Sequence, residues 1–368
     1  MRVETHLPLG KVDPGLRAAH TTLDVSDVPG AARVVEDLGF DGLVLTETKE
    51  DPYVVMAMAA AGTTRIDLTT AVAMAFPRSP TITAMTAWTL QRGSNGRFIL
   101  GLGTQVKGHI ERRYGMKWSA PAPWIEEYIA AVRAVWDCWQ NGTALDFHGD
   151  HYELTLMNPL FNPGPIDHPD IPVHVAAVNA GMARVAGRSA DGLRPHPICT
   201  RKYLDDVLVP AVAAGAGQAG RSVDSVEICA SPLIVTGSDD SAVERRLSDV
   251  RARIAFYAST RTYRPVFDTH GWGEVAERLS ALSKERRWDE MERHITDEMV
   301  DTIAIVAPHD RLAHAVGVRY GGICSRVEFS IAVESADDAE MLRGMVDAIQ
   351  SGDTSPEERA PWETKTEV

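Results

Sequence analysis

Cysteine is scarce: four residues in 368, and none forms a C-x-x-C pair. Cys138, Cys199, Cys229 and Cys324 are too dispersed for a disulfide framework or a zinc site, and they predict a reduced, cytoplasmic protein. Long apolar runs are missing too. The longest, from Tyr53 to Gly62, is too short and alanine-rich to cross a bilayer, and the opening MRVETHLPLG has no signal-peptide core. Positive charge is in the minority, with 37 Lys and Arg against 51 Asp and Glu and a net charge of −14. That balance argues against nucleic acid or an anionic membrane as partner. No Walker A, H-E-x-x-H or G-x-S-x-G sequence occurs. Gly101-x-Gly103 lacks a third glycine, since Val106 stands in its place, so the Rossmann fingerprint is rejected.

What the chain does have is a regular beat. At 44% hydrophobic and 24% charged residues it can bury a large core. Apolar or β-branched runs at 3–7, 40–45, 66–73, 98–103, 171–177, 191–196, 226–235 and 325–333 read as strands. Between them, helical spacing marks 26–38, 51–61, 80–91, 181–189, 203–219 and 240–257, with Asp51-Pro52 a typical helix opening. Eight βα units predict an α/β fold, a closed (β/α)8 TIM barrel rather than an open doubly wound sheet. Residues 1–350 would form one barrel domain with insertions near 105–122, 144–170 and 258–295. The charged stretch 351–368 reads as a disordered tail or a subunit-contacting arm.

Barrel sites lie at the C-terminal strand ends. Those ends carry His6, Glu47, Thr104, Gln105, Asn179 and His196, a polar set poor in carboxylates and without clustered metal ligands, so no metal is expected. Such a set suits orienting a reactive cofactor better than hydrolysis by paired carboxylates. Gly101 and Gly103 allow two readings: close backbone approach to a ligand, or packing alone. His109 reads either as a ligand contact or as part of a polar helix face. The small-residue turn Ala177-Val178-Asn179-Ala180-Gly181 can hold a phosphate on helix-start amides, or be an ordinary tight turn. His148 and His151 would point to opposite faces of a hairpin at 144–154, against a metal pair. Trp118, Trp124, Trp136 and Trp139 read as packing residues.

The runs AVAMAFPRSP, GRFILGLGTQ, F-x-G-x-x-Y-x-L and IPVHVAAVNAGMARVAGRSADG occur in that order. Together they resemble the luciferase-like flavin and deazaflavin oxidoreductases, and GLGTQVKGHIERRYG resembles the coenzyme F-420 branch. The resemblance implies a barrel, a homodimer and a cofactor across the strand ends, with a cis peptide near Ala71–Val72 against which the ring packs. It implies cofactor contacts from Glu47, Ala71, Val72, Thr104, His109, Ala177, Val178 and Asn179, to which the strand-end and helix-start positions add Gln105 and Gly181. Thr48 stands where sugar-phosphate dehydrogenases of the family carry a catalytic histidine, and Gln105-Val106 where they have Gly-Glu. This leaves His6 as the candidate proton donor or acceptor, then His196. The implied activity is hydride transfer between coenzyme F-420 and an organic small molecule. FMN with oxygen and a non-catalytic cofactor binder are the alternatives.

Overall fold

The computed structural model describes residues 1–10 and 23–352. Eight parallel strands close on themselves: β1 (Arg2–His6), β2 (Gly42–Leu45), β3 (Asp67–Thr70), β4 (Phe98–Gly103), β5 (Val173–Ala177), β6 (Gly192–Pro195), β7 (Glu227–Ala230) and β8 (Arg326–Glu328). Each pairs with the next, and β8 returns to β1 with Arg2 opposite Arg326. The (β/α)8 barrel is therefore present. β2 and β4 are buried along their whole length, which explains why they read as unbroken apolar runs without alternation.

Local chemistry sets the helix starts. The Asp51 carboxylate accepts from the Tyr53 and Val54 amides, and Pro52 takes the first helical position of Pro52–Gly62. Ser79 caps Pro80–Gly93 through the Ile82 amide. Tryptophans fill the layer outside β4: Trp124 stacks on Phe76 at 3.6 Å between centroids, and Trp88 packs on Trp136 and Trp139.

Three expectations need correction. The stretch 226–235 is two strands, not one. It breaks at Ser231-Pro232, where proline has no amide for the ladder, and Leu233–Val235 leaves the barrel to pair with Ala304–Val306. The last strand is only Arg326–Glu328 within the expected 325–333. The helix expected over 240–257 divides into Asp240–Glu244 and Leu247–Ala258. The 258–295 segment is itself helical, with Arg264–Thr269 and Gly273–Lys284. Residues 353–368 of the expected tail lie outside the described residues.

The inside of the barrel is charged where bulky aliphatic layers are the norm. Glu4 on β1, fully buried, accepts from Arg194 Nη2 at 2.9 and 3.1 Å and from Arg326 Nη1 at 3.1 Å. Arg326 also donates to Asp67 and Glu227, each at 2.7 Å. Arg194 Nε donates to His174 Nδ1 at 3.3 Å. Burial and the two neighbouring guanidinium groups push His174 well below the usual histidine range, so it is neutral in the fold.

That depression has a measurable consequence. Below pH 6.5 the unfolded chain binds a proton at His174 that the folded chain does not, so stability falls as pH drops from about 6.5. Each unit of pH should remove up to about 1.4 kcal/mol on this account. Urea unfolding at pH 7.5, 6.5 and 5.5 tests it: His174→Gln should shallow the slope by about one proton. An unchanged slope refutes the assignment.

Candidate active site

At the C-terminal mouth, the ends of β2 and β3 are locked together. The peptide between Ala71 and Val72 is cis. Thr46 Oγ1 donates to the Ala71 carbonyl at 2.8 Å, and the Ala71 amide donates to Leu45 O at 2.8 Å. Glu47 Oε2 accepts from the Met74 amide and from Arg78 Nη1, both at 2.7 Å. Arg78 also reaches Asp51 at 3.0 Å and lies over the Tyr53 ring. Glu47 therefore holds the β3 exit in shape, through an arginine that sequence reading passed over.

The two glycines of β4 now have a physical reason. A Cβ on Gly101 would lie 1.7 Å from Thr70 O, and one on Gly103 would lie 2.5 Å from Val72 Cγ2. They are glycines because β3 and the Val72 side chain press against β4, which favours the packing reading. Val72 consequently sits over the end of β4, giving the mouth an apolar floor. Beyond it the side chains of Thr104 and Gln105 turn back on the backbone. Thr104 Oγ1 donates to Gln105 O, and Gln105 Oε1 accepts from the Val106 amide at 2.9 Å. Gln105 takes a left-handed conformation at φ 56°. His109 is exposed on the short helix Lys107–Arg112.

On the opposite side, β5 runs through Ala177 and Val178 into the helix Ala180–Ser189. Asn179 caps that helix, its Oδ1 accepting from the Met182 amide at 3.1 Å. The Ala180 and Gly181 amides fall in the first turn, where a helix has no acceptor of its own to offer. A Cβ on Gly181 would come within 4 Å of nothing but Asn179 Oδ1, at 3.2 Å, so the approach is open. These residues fit an anionic group, and Val72 offers an apolar contact beside them.

His196, at the end of β6, lies between Tyr257 and Tyr263 with ring centroids 4.6 and 4.4 Å away. Its Nδ1 accepts from the Ile198 amide at 3.2 Å, which places the neutral ring's proton on Nε2. The 258–295 segment thus brings Tyr263 to the mouth as an aromatic wall. Across the barrel, His6 Nδ1 stands 3.2 Å from Glu328 Oε1 of β8. Burial pushes the Glu328 carboxyl up, but His6, Arg194 and Ser231 together hold it below the usual range. Glu328 was not anticipated, although a lone acid inside the apolar run V-E-F-S-I was a signal for it.

Other groupings separate on inspection. His148 pairs with Asp146 while His151 bonds Glu127 and Ser119, so the hairpin histidines do not converge. His174, Glu227 and Cys229 bring ligand-type atoms within 4.8 Å of one another. However, Arg194 donates to His174 Nδ1, Arg326 occupies Glu227 Oε2, and burial pushes the Cys229 thiol up to about 12. Two guanidinium groups and a protonated thiol make a poor cation site.

Comparison with known proteins agrees with this architecture. The luciferase-like monooxygenase profile matches residues 8–323. An uncharacterized protein of Mycobacterium tuberculosis is 41% identical over 297 residues, covering 81% of this chain and 87% of that one. The 5,10-methylenetetrahydromethanopterin reductase of Methanolobus tindarius is 27% identical over 302 residues, covering 81% of this chain and 85% of its own. Among solved structures, the coenzyme F420 dependent tetrahydromethanopterin reductase from Methanopyrus kandleri superposes with a TM-score of 0.71. It shares 18% identity, over 95% of this chain and 98% of that one. The chain belongs to the luciferase-like monooxygenase family, whose members are oxidoreductases.

Proposed function

We propose that the protein transfers a hydride between coenzyme F-420 and an organic small molecule, acting as a cytoplasmic homodimer. The observation that carries this reading is a juxtaposition at one barrel mouth. An apolar floor at Ala71 and Val72, an anion-accepting helix start at Asn179 to Gly181 and the His6–Glu328 pair all face the same opening. When bound, the deazaflavin supplies a two-electron hydride carrier. The chain's own residues do the rest. Val72 supports the ring face, the Ala180 and Gly181 amides hold the phosphate, and Glu47 keeps the β3 exit rigid. Tyr257 and Tyr263 limit water, and His6 gives or takes the proton that balances hydride transfer at a carbonyl or alcohol. Support for self-association comes from Val54, Ile82 and Met85, which are exposed on two helices packed side by side.

The family's monooxygenase members support a second reading, FMN with oxygen as co-substrate. Titration of the purified protein with each cofactor, followed by assays under nitrogen and in air, separates the two. Tight FMN binding with oxygen-dependent turnover sinks the hydride-transfer proposal. Binding of coenzyme F-420 without transfer to any carbonyl, alkene or alcohol favours a non-catalytic binder.

The phosphate placement has its own test. Asn179→Asp retains a good N-cap, so the helix should survive, yet it sets a negative charge beside the phosphate. Cofactor affinity should fall about tenfold or more, a cost of about 1.4 kcal/mol. Unchanged affinity by fluorescence titration would refute the placement.

A further inference from the structure

Outside the groups assembled at the mouth, the hairpin of Phe147–His148 and Glu153–Leu154 folds its turn around one carboxylate. Glu127, in the helix Pro121–Asn141, accepts from the amides of Asp150, His151 and Tyr152 at 3.1, 2.7 and 2.8 Å. A Cβ on Gly149 would lie 2.1 Å from Glu127 Oε1, so the turn closes this tightly only around a glycine. Burial pushes the Glu127 carboxyl up, but His151 and the hairpin amides together hold it below the usual range. An ionised carboxylate only accepts, so the 2.8 Å contact runs from His151 Nδ1–H to Glu127 Oε2. In the neutral ring the Nε2 lone pair then accepts from Ser119 Oγ–H at 2.9 Å. Trp124 stacks on the imidazole with centroids 5.3 Å apart and holds its plane.

Hydroxyl, imidazole and carboxylate in this order make a nucleophilic triad, which is recognised by geometry and not by chain position. Ser119 keeps contact with solvent, whereas Glu127 behind the ring is only 14% exposed. We propose that Ser119, His151 and Glu127 form a second reactive site, which hydrolyses carboxylic esters with Ser119 as nucleophile. Oγ attacks the carbonyl carbon and passes its proton to His151 Nε2, while Glu127 keeps the Nδ1 proton in place. The ring returns the proton to the departing alkoxide, leaving an acyl group on Ser119. Water then gives a proton to Nε2 as its oxygen attacks the acyl carbon. Oγ leaves and takes that proton back, so ester and water become acid and alcohol. The helix Pro121–Asn141 begins just past Ser119 without a side-chain cap, because Ala120 stands at its N-cap. Pro121 has no amide, so Ala122 N–H is the first-turn donor left for charge developing on the carbonyl oxygen. None of these residues belongs to the proposed cofactor contacts, so the two activities stand or fall separately.

The test uses the whole chain without added cofactor. A fluorophosphonate probe should attach once per chain with loss of fluoride, and peptide mass spectrometry should place it on Ser119. p-Nitrophenyl acetate should be hydrolysed, and Ser119→Ala should lose both reactions. His151→Gln should slow both by about 100-fold or more, the scale of a missing general base. Glu127 also holds the hairpin, so its orienting role is read from the ring itself. With 15N-labelled histidine, neutral His151 should carry its proton on Nδ1, and Glu127→Gln should shift it toward Nε2 as the probe reaction slows. An Nε2–H ring in the wild type overturns the proposal. So does a probe that stays off Ser119, or ester hydrolysis that is equal in wild type and Ser119→Ala. In those cases the three side chains only clasp the hairpin to its helix.

Discussion

Glu4→Ala should lower the unfolding free energy by about 3–5 kcal/mol, the range found when one partner of a buried ion pair is removed. Glu4 is wholly buried and neutralises two guanidinium groups at once. Arg326 would keep Asp67 and Glu227. Arg194, 7% exposed, would be left with the neutral His174 as its nearest hydrogen-bonding neighbour. The cost is therefore chiefly a buried cation left with only the more distant charge of Glu328 to balance it, together with a cavity where the carboxylate was. Glu4→Gln preserves the volume and should lose less. Glu4→Leu combined with Arg194→Met removes both charges and should recover much of the loss, since buried pairs often break even against apolar residues of similar size. Urea unfolding of the three variants decides it. A loss under about 1 kcal/mol for Glu4→Ala would mean that water already reaches the barrel interior.

Gly101→Ala should be nearly as damaging, by a different route. The added Cβ would sit 1.7 Å from Thr70 O, and backbone cannot rotate away as a flexible side chain can. Thr70 Oγ1 also donates to Gly101 O at 2.8 Å and accepts from Gly101 N at 2.9 Å, so the two strands cannot part cheaply. A loss of about 3 kcal/mol is expected, at the upper end of overpacking effects. Because Ala71 and Val72 follow Thr70 directly, the floor must move with it, and cofactor affinity should fall along with stability. Gly30→Ala provides the contrast. Nothing lies within 4 Å of its Cβ position inside the helix Val28–Asp37, so it should be neutral or stabilise by up to about 1 kcal/mol. Thermal unfolding and cofactor titration of both variants give the comparison. Wild-type stability in Gly101→Ala would show that β3 can shift away from β4 at little cost.

The barrel was legible in the sequence because parallel strands are buried on both faces and separated by helices with explicit start signals such as Asp51-Pro52 and Ser79-Pro80. Features set by strand register were not legible. Nothing local in R-V-E-F-S says that Glu328 stands beside His6, or that Glu4 binds arginines from two other strands. These contacts follow only from closing the barrel in one register. The β7 stretch was misread because apolar character carried on past Pro232 although the ladder could not. Gly101 and Gly103 were visible as signals, but their cause, the pressure of β3 and Val72, lies on another strand. For Thr104 and Gln105 the sequence showed polar side chains at a strand end. It could not show that both fold back onto their own backbone.

The His6–Glu328 pair spans 322 positions of chain. At synthesis rates of roughly 5–20 residues per second, the second partner leaves the ribosome about 16–64 s after the first. Throughout that interval one edge of β1 has no strand to complete it, and the acid buried beside it has not met Arg326. An unpaired edge is a template for association with other chains. Slower translation or cooler expression would lengthen this wait, whereas a circular permutant opened in an exposed loop, with the present ends joined, would place β8 and β1 in sequence and remove it. Such a permutant should yield more soluble protein and refold faster with the same finished site.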